Sequence, residues 1–297
     1  MKIYDCFTYF NEKMLLNFRL NYLNNYVDKF VISEANYTHS GNPKKLNFNI
    51  KDYPKFKDKI IYIPVTKKPR GLQKVDANKD DNDTNLKLIL NGYLRENFQR
   101  NQLQKGLKKA SSDDLIIISD LDEIPNLEKI NLKNVKKKII FFKQKFLFYK
   151  FNLFYKNRFW YGSKACKKKF LLSPQWLRNI KSKKYSIFRP DVFFSIKKYN
   201  SVFFIEDGGW HFTNLKTAKE IHYKFTNYLH HREFEHSHLS IKNIDDMLKK
   251  NISIYNHEVD KSQNKFDGKI KLSKLPKKYF PNFLLKNLGL YKEWISS

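Results

Sequence analysis

Two hydrophobic periodicities take turns over the first 120 residues, and that alternation constrains the fold more than any other feature of the chain. "KIYDCFTYF" reads as a strand. "NEKMLLNFRLNYLNNYV" follows, with Met14, Leu15, Phe18, Leu20, Tyr22 and Leu23 spaced as in a mostly buried helix. "DKFVISEA" predicts a second strand, ending at Glu34, and "KIIYIPV", Lys59 to Val65, a third. The polar run from Thr66 to Asn85 carries Pro and Gly and reads as a surface loop. "LRENFQRNQLQKGLKKA" reads as a helix and "DDLIIIS" as the next strand. This order argues for an α/β fold with a largely parallel sheet and right-handed crossovers. Ligands of such sheets bind beyond the carboxyl ends of the strands. Glu34 and Asp120 lie at such ends, as do the polar residues after Phe10.

After Pro125 the pattern changes. "KKIIFFKQKFLFYKFNLFYKNRFWYG" alternates aromatic with basic or polar residues and suggests antiparallel strands, and "YSIFRPDVFFSIKKYNSVFFIEDGGWHF" continues in the same manner. "TAKEIHYKFTNYLHHREF" has helical spacing, with Ile221, Phe225 and Leu229 on one face; "IKNIDDMLKKNISIY" reads as another helix. The aromatic tail from Leu275 should pack back on the body. With no internal repeat and no clear linker, the expectation is one domain over residues 1–297, with halves 1–125 and 126–297.

Composition narrows the partners. Lys and Arg total 58 for a formal charge of +29, yet only eight are Arg. Nucleic-acid readers favour Arg forks, so no nucleic acid is expected. The Lys, Asn, Ile, Phe and Tyr excess is what an A/T-rich coding bias produces, and it leaves room for peripheral contact with an anionic membrane. No apolar run of membrane-spanning length and no signal peptide is read from the sequence. Two cysteines, Cys6 and Cys166, suggest no disulfide framework and fit a reducing, cytoplasmic setting.

Four stretches carry candidate chemistry. Asp120-Leu121-Asp122 follows the apolar run "LIII" and has Glu123 beside it. Alternate residues of an extended segment face one way. Two such carboxylates repel unless a cation sits between them, and a hard divalent ion suits oxygen ligands. A solvated turn or helix cap is the plain alternative. In "EDGGWHF", two acids, Glu206 and Asp207, stand beside two glycines; Asp207 is a candidate base and His211 a candidate for metal or phosphate, against a bulged turn around a core Trp210. "HHREFEHSH" holds His230, His231, His236 and His238, but its spacing matches no zinc pattern and a polar helix end is preferred. The aromatic alternation from Phe141 to Trp160 could stack bases or sugars; strands with one buried face look the same, and that reading is preferred.

The order "YDCFTYFNE", "VDKFVISEA", "RENFQRNQLQKGL", "DDLIIISDLDEIP", "GSKAC" and "GGWHF" resembles glycosyltransferase family 17, in its short bacterial and viral form, over nearly the whole chain. The resemblance implies a GT-A-like fold, with a nucleotide-sugar-binding half and an acceptor half with antiparallel additions. It implies inverting transfer, most simply of GlcNAc from UDP-GlcNAc to a glycan hydroxyl, with Mn2+ or Mg2+. Carried onto this chain, Asp120, Asp122 and His211 would serve the metal. Phe10, Asn11, Glu34, Arg100, Asn101 and Asp120 would serve the nucleotide. The base would be Asp207, then Glu206, then Glu123. Two other classes are weighed: a metal-dependent phosphoryl-transfer enzyme, which lacks further acids in this block, and a Lys-rich binder of nucleic acid or membrane. Salt-sensitive DNA affinity without UDP binding would mark the last.

Overall fold

The computed structural model of the chain describes residues 1–76, 79–128, 130–229, 231–259 and 265–296. Strands β1 (Ile3–Tyr9), β2 (Lys29–Ala35), β3 (Ile60–Val65) and β4 (Leu115–Asp120) fall where the apolar runs lie. β1 pairs in parallel with both β2 and β4, and β2 with β3. The chain therefore builds outward through β2 and β3, then returns to the other side of β1. Helix α1 (Lys13–Leu23) makes the first crossover and buries Leu15, Leu16, Phe18, Leu20 and Leu23. Helix α2 (Asn82–Gln102) makes the third. It begins inside the segment read as loop, because Asp81 accepts from the Thr84 N–H and caps it. A polar helix start and a polar loop share a composition.

Beyond β4 come β5 (Glu123–Pro125), β6 (Ile139–Phe142), β7 (Gln144–Phe148), β8 (Leu153–Trp160) and β9 (Lys164–Lys167). Next are α3 (Pro174–Asn179), α4 (Pro190–Phe193), β10 (Val202–Ile205) and β11 (Gly209–Thr213). Then follow α5 (Ala218–Asn227), α6 (His231–Glu235), α7 (Ile241–Lys249) and β12 (Ser273–Lys274). Among the described residues the large sheet has the order β10-β6-β9-β4-β1-β2-β3, with only β9 antiparallel to its neighbours. The second sheet has the order β12-β8-β7-β11-β5 and is mostly antiparallel, with β7 and β11 parallel. The expected mostly parallel sheet with antiparallel additions is thus present.

One core joins the sheets. Phe7, Phe30 and Ile117 of the large sheet belong to the same buried cluster as Leu147, Trp210 and Phe212 of the small one. The tail packs back through Phe280, Leu284 and Tyr291, as expected. A second expectation fails. The stretch from Tyr185 to Lys198, read as continuing the strands, is irregular apart from the short α4, and most of its aromatics face solvent. Alternating aromatic and polar residues mark a strand only when one face finds a core.

Candidate active site

The order of the large sheet reverses between β1 and β4, and that is where open α/β sheets bind ligands. A cavity of about 540 Å³ opens there. That size is typical of a small-molecule site. Its walls come from the ends of β1 and β4, from α2, from β7, β8 and β11 of the small sheet, and from α5.

The acidic turn is where the chain leaves one sheet for the other. β4 ends at Asp120, Leu121 and Asp122 form the turn, and β5 starts at Glu123 against β11. Arg19 of α1 fixes this turn from below. It is fully buried and makes a two-pronged pair with Asp5, at 2.8 and 2.6 Å. Its Nη1 donates to the carbonyls of Asp120, Leu121 and Glu123 at 3.1, 3.0 and 2.7 Å. Gly209, at φ 117°, lets β11 approach: a Cβ there would lie 2.2 Å from the Ile124 carbonyl oxygen. Gly162 does the same for Glu123, whose Oε1 would lie 1.8 Å from an added Cβ.

The three carboxylates of the turn have different surroundings. Asp120 Oδ1 accepts from Arg100 Nη2 at 3.0 Å and Oδ2 from Arg178 Nη2 at 2.8 Å. Burial alone would raise its pKa, but Arg178 and Arg100 outweigh this and hold it well below the usual carboxylate range. Glu123 is buried and closed in. It accepts from Arg178, from Trp160 Nε1 at 2.6 Å and from the Asp120 N–H at 2.8 Å. Asp122 is less constrained. His211 Nε2 lies 3.5 Å from Oδ1 and Lys224 Nζ 3.5 Å from Oδ2, both longer than charge-assisted hydrogen bonds. Burial opposes its ionisation, yet His211 and Lys224 bring its pKa down to about 2.

This bears on a metal. Asp122 and His211 suit a divalent ion by chemistry: an anionic oxygen and an imidazole nitrogen lie 3.5 Å apart, and both line the cavity. The His211 Nδ1 is buried without a hydrogen-bond partner, so the ring lacks the supporting bond that usually orients a ligating histidine. Asp120 fits less well, because each of its oxygens already accepts from an arginine whose positive charge would oppose a cation there. Among the described residues no group of three or more His, Cys, Asp or Glu could hold an ion. Substrate oxygens would have to complete the shell, as is common for Mg2+.

The remaining expected residues divide. Phe10 and Arg100 line the cavity. Glu34, Asn11 and Asn101 do not. Glu34 is buried and accepts from Lys44 Nζ, Tyr62 Oη and the N–H groups of Asn47 and Phe48, organising the loop after β2. Asn11 accepts from Lys216 Nζ at 2.7 Å, and Asn101 accepts from the Gln175 N–H, joining α2 to α3. Glu206 and Asp207 are also away from the cavity lining. They sit on the turn before β11, where Lys143 meets Glu206 at 2.6 Å and Lys145 meets Asp207 at 2.7 Å. β11 carries His211 and Thr213 to the cavity but leaves this turn at its other end. Asp207→Asn is accordingly expected to leave turnover within about twofold, since exposed ion pairs contribute little. A loss beyond about 10²-fold, measured as kcat, would restore Asp207 as the base.

Sequence reasoning missed Arg178, Lys224 and Trp160. α3 presents Arg178 after a Ser173 cap and Pro174, a start signal that is visible in "SPQW". Lys164 Nζ donates to the carbonyls of Arg178 and Ile180, both at 2.6 Å, and so closes the far end of α3. Of the histidine cluster, His230 lies outside the described residues. His231 bonds the Tyr228 carbonyl and His236 faces Asp80 at 3.7 Å, consistent with a polar helix end.

The aromatic stretch serves two ends. Phe141 and Tyr155 are core, whereas Phe146, Phe148 and Trp160 line the cavity near Tyr255 and His257. Burial, helped by Arg158, pushes the His257 pKa down to about 3. The unfolded imidazole binds a proton near pH 6.5 and the folded one does not, so stability should fall as pH drops from about 6.5 towards 3. His257→Phe should remove up to about 1.4 kcal/mol per pH unit of that slope, read by urea unfolding between pH 6.5 and 4.5. An unchanged slope would mean that His257 accepts a proton in the fold.

Comparison with known proteins adds an independent line. The model of glycosyltransferase family 17 matches residues 1–292. Over 119 residues the chain is 29% identical to β-1,4-mannosyl-glycoprotein 4-β-N-acetylglucosaminyltransferase of Homo sapiens, and equally to that of Rattus norvegicus. The aligned stretch is 39% of this chain and 20% of each relative, so the chain spans only a small part of their length.

Proposed function

The chain belongs to glycosyltransferase family 17, and we propose that it moves a sugar from a nucleoside-diphosphate donor to a hydroxyl of a glycan acceptor with inversion. We take UDP-GlcNAc as the donor, because the relatives' names specify N-acetylglucosamine transfer. The observation that carries the reading is the cavity at the β1/β4 reversal, with Asp122 and His211 facing each other beside Arg100, Arg178 and Lys224. A GT-A-like arrangement is supported by the β3-β2-β1-β4 order, the acidic turn directly after β4 and the small sheet flanking the cavity.

A nucleoside diphosphate leaving the sugar gains negative charge as the bond breaks. Groups that meet that charge more strongly in the transition state than in the ground state accelerate the step. A divalent ion, Mn2+ or Mg2+, held by Asp122 and His211 would supply such charge and orient the diphosphate. Lys224, 3.5 Å from Asp122, adds a cation from this chain. Asp120 holds the Arg100 and Arg178 guanidinium groups in position. The aromatic wall of Trp160, Tyr228 and Tyr255 offers apolar faces to sugar rings.

Inversion needs one base on the acceptor side. Asp120 has an arginine on each oxygen, Glu123 is closed in by Arg178, Trp160 and the Asp120 N–H, and Asp122 would serve the ion. Glu12 and Glu96 remain among the described carboxylates of the cavity. Glu12 lies 3.6 Å from Lys216, and Glu96 receives one bond from Arg100 at 2.6 Å. Glu12→Gln or Glu96→Gln should lower kcat by about 10²-fold or more with donor affinity retained. If neither does, the base lies elsewhere.

The reading itself is tested by incubating the chain with a panel of nucleotide sugars and Mn2+ and following release of the nucleoside diphosphate. UDP-GlcNAc should be consumed fastest, and a chelator should stop the reaction. No turnover of any nucleotide sugar, with the ion present, would overturn the proposal.

A further inference from the structure

The loop from Lys181 to Lys198 leaves the body immediately after α3 and returns before β10. Its neck is closed by two hydrogen bonds, from the Lys181 N–H to the Lys197 carbonyl and from Trp176 Nε1 to the Ile196 carbonyl, each 2.8 Å. Inside the loop Arg189 makes a two-pronged pair with Asp191 at 2.9 Å, and Lys198 meets the same acid at 2.6 Å. Val192 alone among its aliphatic side chains turns inward. The loop is therefore an ordered projection with its own internal contacts.

Its outer surface is unlike that of the rest of the molecule. Phe188 and Phe194 are 88% and 91% exposed, and Phe193, Ile187 and Ile196 are 60–70% exposed. An exposed apolar cluster of this kind marks an interaction site. The same segment carries Lys181, Lys183, Lys184, Lys197, Lys198 and Arg189 against the single acid Asp191. Apolar tips ringed by lysines match the two layers of an anionic bilayer: acyl chains at the boundary and negative headgroups above them. Lys outnumbers Arg, and Ile stands beside Phe, whereas nucleic-acid surfaces favour Arg forks and stacking rings.

We propose that the 181–198 loop docks the protein on anionic membranes by inserting Phe188, Phe193 and Phe194 into the interface while the flanking lysines meet the headgroups. This contact is independent of the transfer chemistry proposed above. It does bring the membrane to the end of α3, the helix that carries Arg178 to the cavity.

The test uses the full chain and sedimentation with vesicles of phosphatidylcholine alone or with about one-third phosphatidylglycerol. The chain should partition onto the anionic vesicles about tenfold more strongly or better, and salt should weaken binding. The double variant Phe188→Ser/Phe194→Ser should lose about tenfold or more of that binding. Lys183→Ala/Lys184→Ala should lose most of the preference for anionic lipid. All these side chains are exposed, so melting temperatures should not move. Equal binding to both vesicle types would overturn the proposal. So would anionic binding that ignores the loss of both phenylalanines, or Phe-dependent binding to an oligonucleotide with none to vesicles.

Discussion

Arg19→Met is expected to destabilise the protein by about 3–5 kcal/mol, a large share of the ~5–15 kcal/mol typical of a folded domain. The substitution preserves much of the side-chain volume, so packing is not the main loss. What remains is the Asp5 carboxylate, buried without its cation, the carbonyls of Asp120 and Leu121 without this donor, and the Glu123 carbonyl with Ser163 Oγ still donating to it. The lost bonds to these carbonyls fall within that total, because the turn can relax to recover part of them. The double variant Asp5→Leu/Arg19→Met should be less destabilised than Arg19→Met alone, because removing both charges costs less than stranding one. Urea unfolding of the three proteins reads both effects. A loss below about 1 kcal/mol for Arg19→Met would mean that the turn does not depend on this arginine.

Asp122→Asn should have the opposite profile. Its two cations sit at 3.5 Å, so the fold loses little. On the proposed reading, transfer should fall by roughly 10³-fold or more, because Asp122 would hold the ion that meets the departing diphosphate. Asp120→Asn should harm both properties, since it strips an anion from two arginines at once. Asp120 and Asp122 are alike in sequence and separate by this pair of measurements. Equal activity of Asp122→Asn and the parent protein would remove Asp122 from the site.

The contrast marks what the sequence could reveal. The parallel core was legible because strands covered on both faces read as continuous apolar runs, as in "LIII". The acids at the end of β4 were legible because that position follows from strand order alone. Their individual roles were not. Asp120 and Glu123 are set by Arg100, Arg178 and Trp160, which reach the turn from α2, α3 and β8. No local pattern announces such partners, nor the pairing of Arg19 with Asp5. Asp207 misled because "EDGGWHF" supplies an acid, a histidine and glycines together, whereas β11 takes only the histidine to the cavity. The 181–198 loop misled for a different reason: its aromatics alternate like a strand's, but no second layer covers them.

The most direct test is calorimetric titration of UDP into the parent protein and into Asp122→Asn, each with and without Mn2+. UDP should bind the parent at least about tenfold tighter when the ion is present, with matching thermal stabilisation, and Asp122→Asn should lose that gain. UDP affinity that is indifferent to both the ion and the substitution would contradict a diphosphate site built on Asp122 and His211.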